Sequence, residues 1–288
     1  MRILKKFNLI QSLNFLPVFF FSLAISPNIS GDRIGLVLFT VFFLLIPAAN
    51  YITANSGKRT STSGNIKYSF VDFLALLLVM AAVYLGWKIS WQFNLAQILY
   101  LTFVGLIIPN ITGSNLFNIK LASVWIGQGL ILFAILYLGL NQYFLENLLR
   151  THVIVYALLS SSVVLISLYL SKLRAYYKID KFSNPLEMNK ELKFIKITFL
   201  LLILVLAGYG LFFLMKFSWS YTGYLVAALI PASSISIRLI RQVKNNNIVR
   251  IPVTLFWLNI ILALSLDIFF IYFFLESTQI LQAIQGGF

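Results

Sequence analysis

The chain has 288 residues, of which 60% are hydrophobic and only 10% charged, against roughly 25% charged in a soluble domain. With a mean hydropathy of +0.91 it cannot cover a water-facing surface, and the composition points to an integral membrane protein. The absence of cysteine excludes disulfides, thiolate catalysis and Cys-ligated zinc; a single histidine, His152, excludes bis-histidine haem ligation and argues against a His-rich metal site. In such a chain a net charge of +14 reads as cytoplasmic loop charge and contact with anionic lipid rather than nucleic-acid binding.

The first residues, "MRILKKFNLIQSLNFLPVFFFSLAIS", have the basic start, apolar run and small residues of a signal peptide. The many apolar runs that follow favour an uncleaved first helix. A membrane-spanning helix needs about 20 predominantly apolar residues. Apolar runs broken by polar stretches predict nine spans: Phe7–Ile25, Ile34–Ala54, Phe70–Trp87, Leu95–Ile111, Leu121–Leu140, Thr151–Leu173, Phe194–Met215, Tyr221–Ile240 and Ile251–Leu275. With the N-terminus inside, alternation puts 18 of the 22 Lys and Arg residues on the cytoplasmic side and leaves Arg33, Lys88, Arg150 and Lys216 outside. That asymmetry predicts an N-in, C-out, multi-pass protein of a bacterial inner (plasma) membrane. The whole chain, 1–288, reads as one transmembrane helical domain. A pseudo-repeat of 1–120 and 121–250, followed by a last helix over 251–276, is hinted at by spacing alone.

Two predicted cytoplasmic loops stand out. After the second span comes "ANYITANSGKRTSTSGN", with Asn50 at the membrane edge, two cations and no acid. After the sixth, "FSNPLEMNKELKFIK" carries an N-cap, a helix-starting proline and a capping-box acid in Asn184, Pro185 and Glu187. Glu187 and Glu191 lie one turn apart and share a face with Lys190, as on a solvated helix start. Of the eight acids, Asp32, Glu146 and Glu276 fall outside, and Asp72 opens the third span, where it suits a helix N-terminus. Asp180, Glu187 and Glu191 alone cluster near the inner face. Asp267 lies inside the ninth span, where an ionisable group costs a few kcal/mol; it marks either a functional site or an interhelical hydrogen bond. Gln128, flanked by Gly127 and Gly129, is either interhelical glue or a cavity-lining contact. His152 falls at an outer helix end, in an interfacial position. Trp87, Trp91, Tyr143, Trp219 and Tyr221 fall where an outer aromatic belt belongs. The 27 Phe residues suit lipid-facing packing, or a pocket for an isoprenoid or acyl chain.

Nine helices, N-in, with key loops after the second and sixth, resemble the UbiA superfamily of intramembrane prenyltransferases. The likeness extends to "GSNLFNIKLASVWIGQG", which looks like that family's basic segment before the fifth helix, and to the tail "RLIRQVKNNNIVRIPVTLFWLNIILALSLD". The resemblance implies an all-α, UbiA-like bundle acting on an isoprenyl diphosphate and an aromatic or lipid acceptor, with Mg2+ held by aspartates of the two loops. Residue by residue, Asn50 matches the first motif's Asn, Arg174 the second motif's Arg, and Lys120 the basic residue before the fifth helix. The magnesium aspartates are replaced: Tyr51, Ala54 and Lys58 stand in the first motif, Ala175 and Ile179 in the second, with Asp180 one step late.

Two outcomes follow from that departure. Either Asn50, Lys58, Arg59, Lys120, Lys172, Arg174 and Lys178 bind the diphosphate without bridging metal, with Tyr51 and Gln128 lining the cavity and Asp180 as remaining base or metal ligand. Or catalysis is lost, and the scaffold binds lipid or helps assemble a complex with a membrane protein partner. A small transporter or flippase is a third reading, suggested by Pro17, Pro231 and Asp267.

Overall fold

A computed structural model of the chain describes residues 12–26, 29–59, 70–108, 119–141, 151–179, 188–216, 219–245 and 250–285. Among these residues every regular element is helical. In chain order they are α1 (Leu16–Ala24), α2 (Gly31–Leu38), a π-helical stretch (Phe39–Leu45) and α3 (Ile46–Arg59). Next come α4 (Phe70–Ile89), α5 (Trp91–Thr102) and a second π-helical stretch (Phe103–Ile107). They are followed by α6 (Ile119–Leu140), α7 (Thr151–Ile179), α8 (Met188–Lys216), α9 (Trp219–Lys244) and α10 (Ile251–Gln285). A helix lies in each of the nine apolar runs read from the sequence.

Six of these helical segments are long and apolar enough to cross a bilayer: Gly31–Thr53, Phe70–Ile89, Lys120–Leu140, Val153–Ala175, Ser220–Gln242 and Ile251–Glu276. Two further apolar helices, Trp91–Ile107 and Leu200–Met215, are shorter. The pattern of burial agrees with lipid as solvent. On α4 the residues Phe73, Leu77, Met80, Tyr84 and Trp87 recur at helical spacing and are all exposed, with Met80 at 59% and Trp87 at 65%. A helix in water hides such a stripe; here it is what the protein turns outward. Six such helices make this an integral, multi-pass membrane protein.

Hydroxyl side chains behave accordingly. With no water to satisfy them, they donate back to carbonyls one turn earlier in their own helix: Ser22 to Val18 (2.7 Å), Thr40 to Leu36 (2.7 Å), Thr53 to Ala49 (2.9 Å), Ser236 to Ala232 (2.8 Å).

The chain divides into two compact units, residues 1–161 and 162–288. In the first, α6 packs against α1, α2 and α5, while α4 packs against α3, α5 and the first π-helical stretch. Close approach is bought with glycine. At Gly139 of α6 an added Cβ would stand 2.7 Å from Phe93 Cε2 and 3.0 Å from Val37 Cγ2. The carbonyl of the same glycine accepts a 2.6 Å hydrogen bond from Arg33 Nε, and Asn141 Nδ2 donates to Ser26 Oγ at 2.5 Å. In the second unit α9 packs against both α8 and α10. Phe213 of α8 centres an aromatic cluster there, with ring centroids 4.9 Å from Phe269 and 5.0 Å from Phe273.

Candidate functional site

Asn50 sits in α3, half-buried, with its Nδ2 buried and without a hydrogen-bond partner among the described residues. A buried amide N–H left unmade costs on the order of 1–3 kcal/mol, so this donor is available to a ligand acceptor. Its neighbour Tyr51 reaches α4. The Tyr51 hydroxyl donates to Asp72 Oδ1 of α4 at 3.0 Å, and its ring packs with Val71 and Ala75. Asp72 therefore serves the first turn of α4 and also anchors α3. Lys58 and Arg59 are the penultimate and last residues of α3, but their side chains lie outside the described part of the structure. Cations at a helix C-terminus suit the negative end of its dipole.

Lys120, in the first turn of α6, is exposed. Gln128 of α6 is buried and donates from Nε2 to the Tyr100 hydroxyl of α5 at 3.0 Å, an interhelical bond. The glycine before it serves the same contact: a Cβ on Gly127 would come within 3.1 Å of Phe103 Cζ.

In the second unit, Lys172 and Arg174 are half-buried near the C-terminal end of α7. The Arg174 guanidinium lies over the Phe256 ring of α10, 4.2 Å from its centroid, and its Nε is buried without a partner among the described residues. Stacking fixes the plane of the fork while leaving donors unused. Lys178 lies one turn further on, helical, its side chain outside the described residues; Asp180 and Glu187 lie outside them altogether, as do the side chains of His152 and Glu191. Among the described residues no three His, Asp or Glu side chains gather as a metal site.

Two features escaped the sequence reading. The Arg174–Phe256 stack joins residues 82 positions apart and has no local signature. The polar face of α5 does have one: Asn94, Gln97 and Tyr100 recur every three residues inside an apolar run. Asn94 Oδ1 and both amide atoms of Gln97 are buried without partners among the described residues, and both side chains back onto Gly86 of α4.

Compared with protein-family models, with curated proteins and with solved structures, the chain matches none.

Proposed function

We propose that this chain is a divergent UbiA-like membrane protein that takes an isoprenyl diphosphate, or a related anionic phospholipid, from the bilayer and meets its phosphate charge with protein cations in place of bridging metal. Arg174 carries this reading. It is a guanidinium held in one plane by Phe256, close to the end of a membrane-spanning helix, with a buried N–H that has no partner among the described residues. A planar donor fork of this kind suits phosphate oxygens. Lys172 and Lys178 are its companions on α7; Asn50, Lys58, Arg59 and Lys120 are the first unit's candidates. The aspartate pattern that would bring magnesium is absent from the sequence, with Asp180 the one acid near its expected place.

The proposal includes nine spans with the N-terminus in the cytoplasm of a bacterial inner membrane. It is supported by the 18-to-4 division of cations and by the presence of a helix in every predicted run. Because the natural chain lacks cysteine, single cysteines report sidedness directly. Lys67→Cys should label from the cytoplasmic face and Arg150→Cys from the other; labelling of both from one side refutes the topology.

The binding test is retention of a radiolabelled isoprenyl diphosphate by the purified protein, with and without magnesium, alongside mass spectrometry of co-purified lipid. Hydrogen bonds to charged groups contribute about 1.5–3 kcal/mol, so Arg174→Ala should weaken binding about 10- to 150-fold. Unchanged affinity in Arg174→Ala would end the proposal. Turnover with an acceptor makes the protein a transferase, in which diphosphate departs as the acceptor attacks; binding without turnover makes it a lipid-binding or assembly subunit.

A further inference from the structure

Asp267 is buried in α10, 6% exposed, within the apolar segment Ile251–Glu276. It lies on the helix's inner face with Ala263, Leu266 and Phe270, all buried, while Leu264 and Ile268 on the other face are exposed. The carboxyl is thus turned away from lipid. Its Oδ1 has no hydrogen-bond partner among the described residues.

On the N-terminal side of Asp267 a polar seam joins α10 to α7. Eight residues earlier on α10, Asn259 is buried and donates from Nδ2 to the Ser167 carbonyl and to Ser171 Oγ of α7, each at 3.3 Å. Ser167 Oγ is itself buried, with no partner among the described residues. A turn before Asn259, Phe256 carries Arg174. At 1.5 Å of rise per residue Asp267 stands about 12 Å beyond Asn259 and about 16 Å beyond Phe256, too far for an ion pair with that arginine. Toward the C-terminal end of α10, Asp267 is followed by the aromatic cluster. Phe213 packs there on Phe269, Phe270 and Phe273, and Tyr209 lies 5.3 Å from Phe270.

The titratable and charged groups around this carboxyl are few. From α8 it is Tyr209, whose ring lies on Phe270. The α9 sequence between Tyr224 and Arg238 contains none, and α7 offers Tyr169, Lys172 and Arg174 toward the other end of the seam. An isolated carboxylate in an apolar segment must be neutralised. A metal cation would need several oxygen ligands, and no acidic cluster surrounds Asp267 among the described residues. A proton needs one oxygen.

We infer that Asp267 is a proton-binding site of the second unit: a carboxyl turned inward from lipid, set between the Asn259–Ser167 contact of α10 with α7 and the Phe213 aromatic cluster, that takes up a proton within the apolar segment. It stands independently of the phosphate proposal, which is tested at Arg174.

Dicyclohexylcarbodiimide reacts with protonated carboxyls held away from water. Full-length purified protein in detergent should give one adduct, mapped to Asp267 by peptide mass spectrometry, and Asp267→Asn should give none. The yield should fall as pH rises and be unaffected by sodium or potassium at fixed pH. Infrared spectroscopy supplies a second readout that does not need reagent entry: a protonated-carboxyl carbonyl band in the wild type that is missing from Asp267→Asn and is lost at high pH in the still-folded protein. Absence of that band, an equal adduct in Asp267→Asn, or protection by sodium or potassium at constant pH overturns the inference.

Discussion

Gly139→Ala tests the packing of the first unit most severely. In an exposed helix the exchange would stabilise by about 1 kcal/mol, because alanine is the better helix former. Here the new methyl would stand 2.7 and 2.9 Å from two carbons of the Phe93 ring and 3.0 Å from Val37 Cγ2. Carbon atoms sit comfortably at about 3.5–4.0 Å, so the overlap is nearly 1 Å. Phe93 and Val37 are both fully buried and cannot yield without moving α5 or α2, and the Arg33 hydrogen bond to the Gly139 carbonyl holds the backbone in place. Overpacking of this kind costs about 1–3 kcal/mol. Net of helix propensity, a loss on the order of 1–2 kcal/mol remains, and at about 2–4 °C per kcal/mol the melting temperature should fall by roughly 2–8 °C. The five tryptophans give an intrinsic fluorescence signal for the melt in detergent. Gly86→Ala should cost less, since its nearest obstacle is the end of the Gln97 side chain, which can turn. Gly35→Ala, with nothing within 4 Å, should be neutral or slightly stabilising. A Gly139→Ala protein that melts at or above the wild-type temperature, or an inverted order among the three, would refute the reasoning.

Met80→Lys places a charge on the outward stripe of α4; because a lysine at mid-helix costs about 2.5–3.5 kcal/mol to insert, membrane integration of this segment should drop sharply in a translocon-insertion assay. Integration at the wild-type level would mean that this face does not meet lipid. Tyr51→Phe removes the donor to Asp72 and should destabilise by about 1 kcal/mol, measured in the same fluorescence melt; a smaller loss in a Tyr51→Phe, Asp72→Ala double variant than the two single losses combined would show that the two groups act as a pair.

The helices were legible because lipid imposes one simple rule: an apolar run long enough to cross must satisfy its own backbone. Their ends were less so. The fourth span was expected from Leu95, yet α5 starts at Trp91, where Ser90 Oγ accepts a hydrogen bond from the Phe93 amide at 3.1 Å. The cap is local, in "SWQF", where Trp91 doubles as a belt residue. Helix α2 begins at Gly31, three residues before the expected start, in a segment where Arg33 finds the Gly139 carbonyl, an acceptor 106 positions away. At the site, Asn50 and Arg174 were singled out by resemblance, but their partners were invisible. Whether Tyr51 lines a cavity or grips Asp72, and which ring lies beneath Arg174, depend on contacts between helices that no local pattern encodes.

The π-helical stretch between α2 and α3 has a bearing on how such a chain can change. A π turn accommodates one residue more than an ordinary turn, and each residue advances a helix by about 100°. Deleting one position from Phe39 to Leu45 would let the wide turn close into an ordinary one, and Tyr51 would stay opposite Asp72. The same deletion between Ile46 and Asn50, in the regular helix, would turn Tyr51 away by about 100°. The wide turn is thus the one stretch of this rod with slack to lose a codon and keep its polar end aimed.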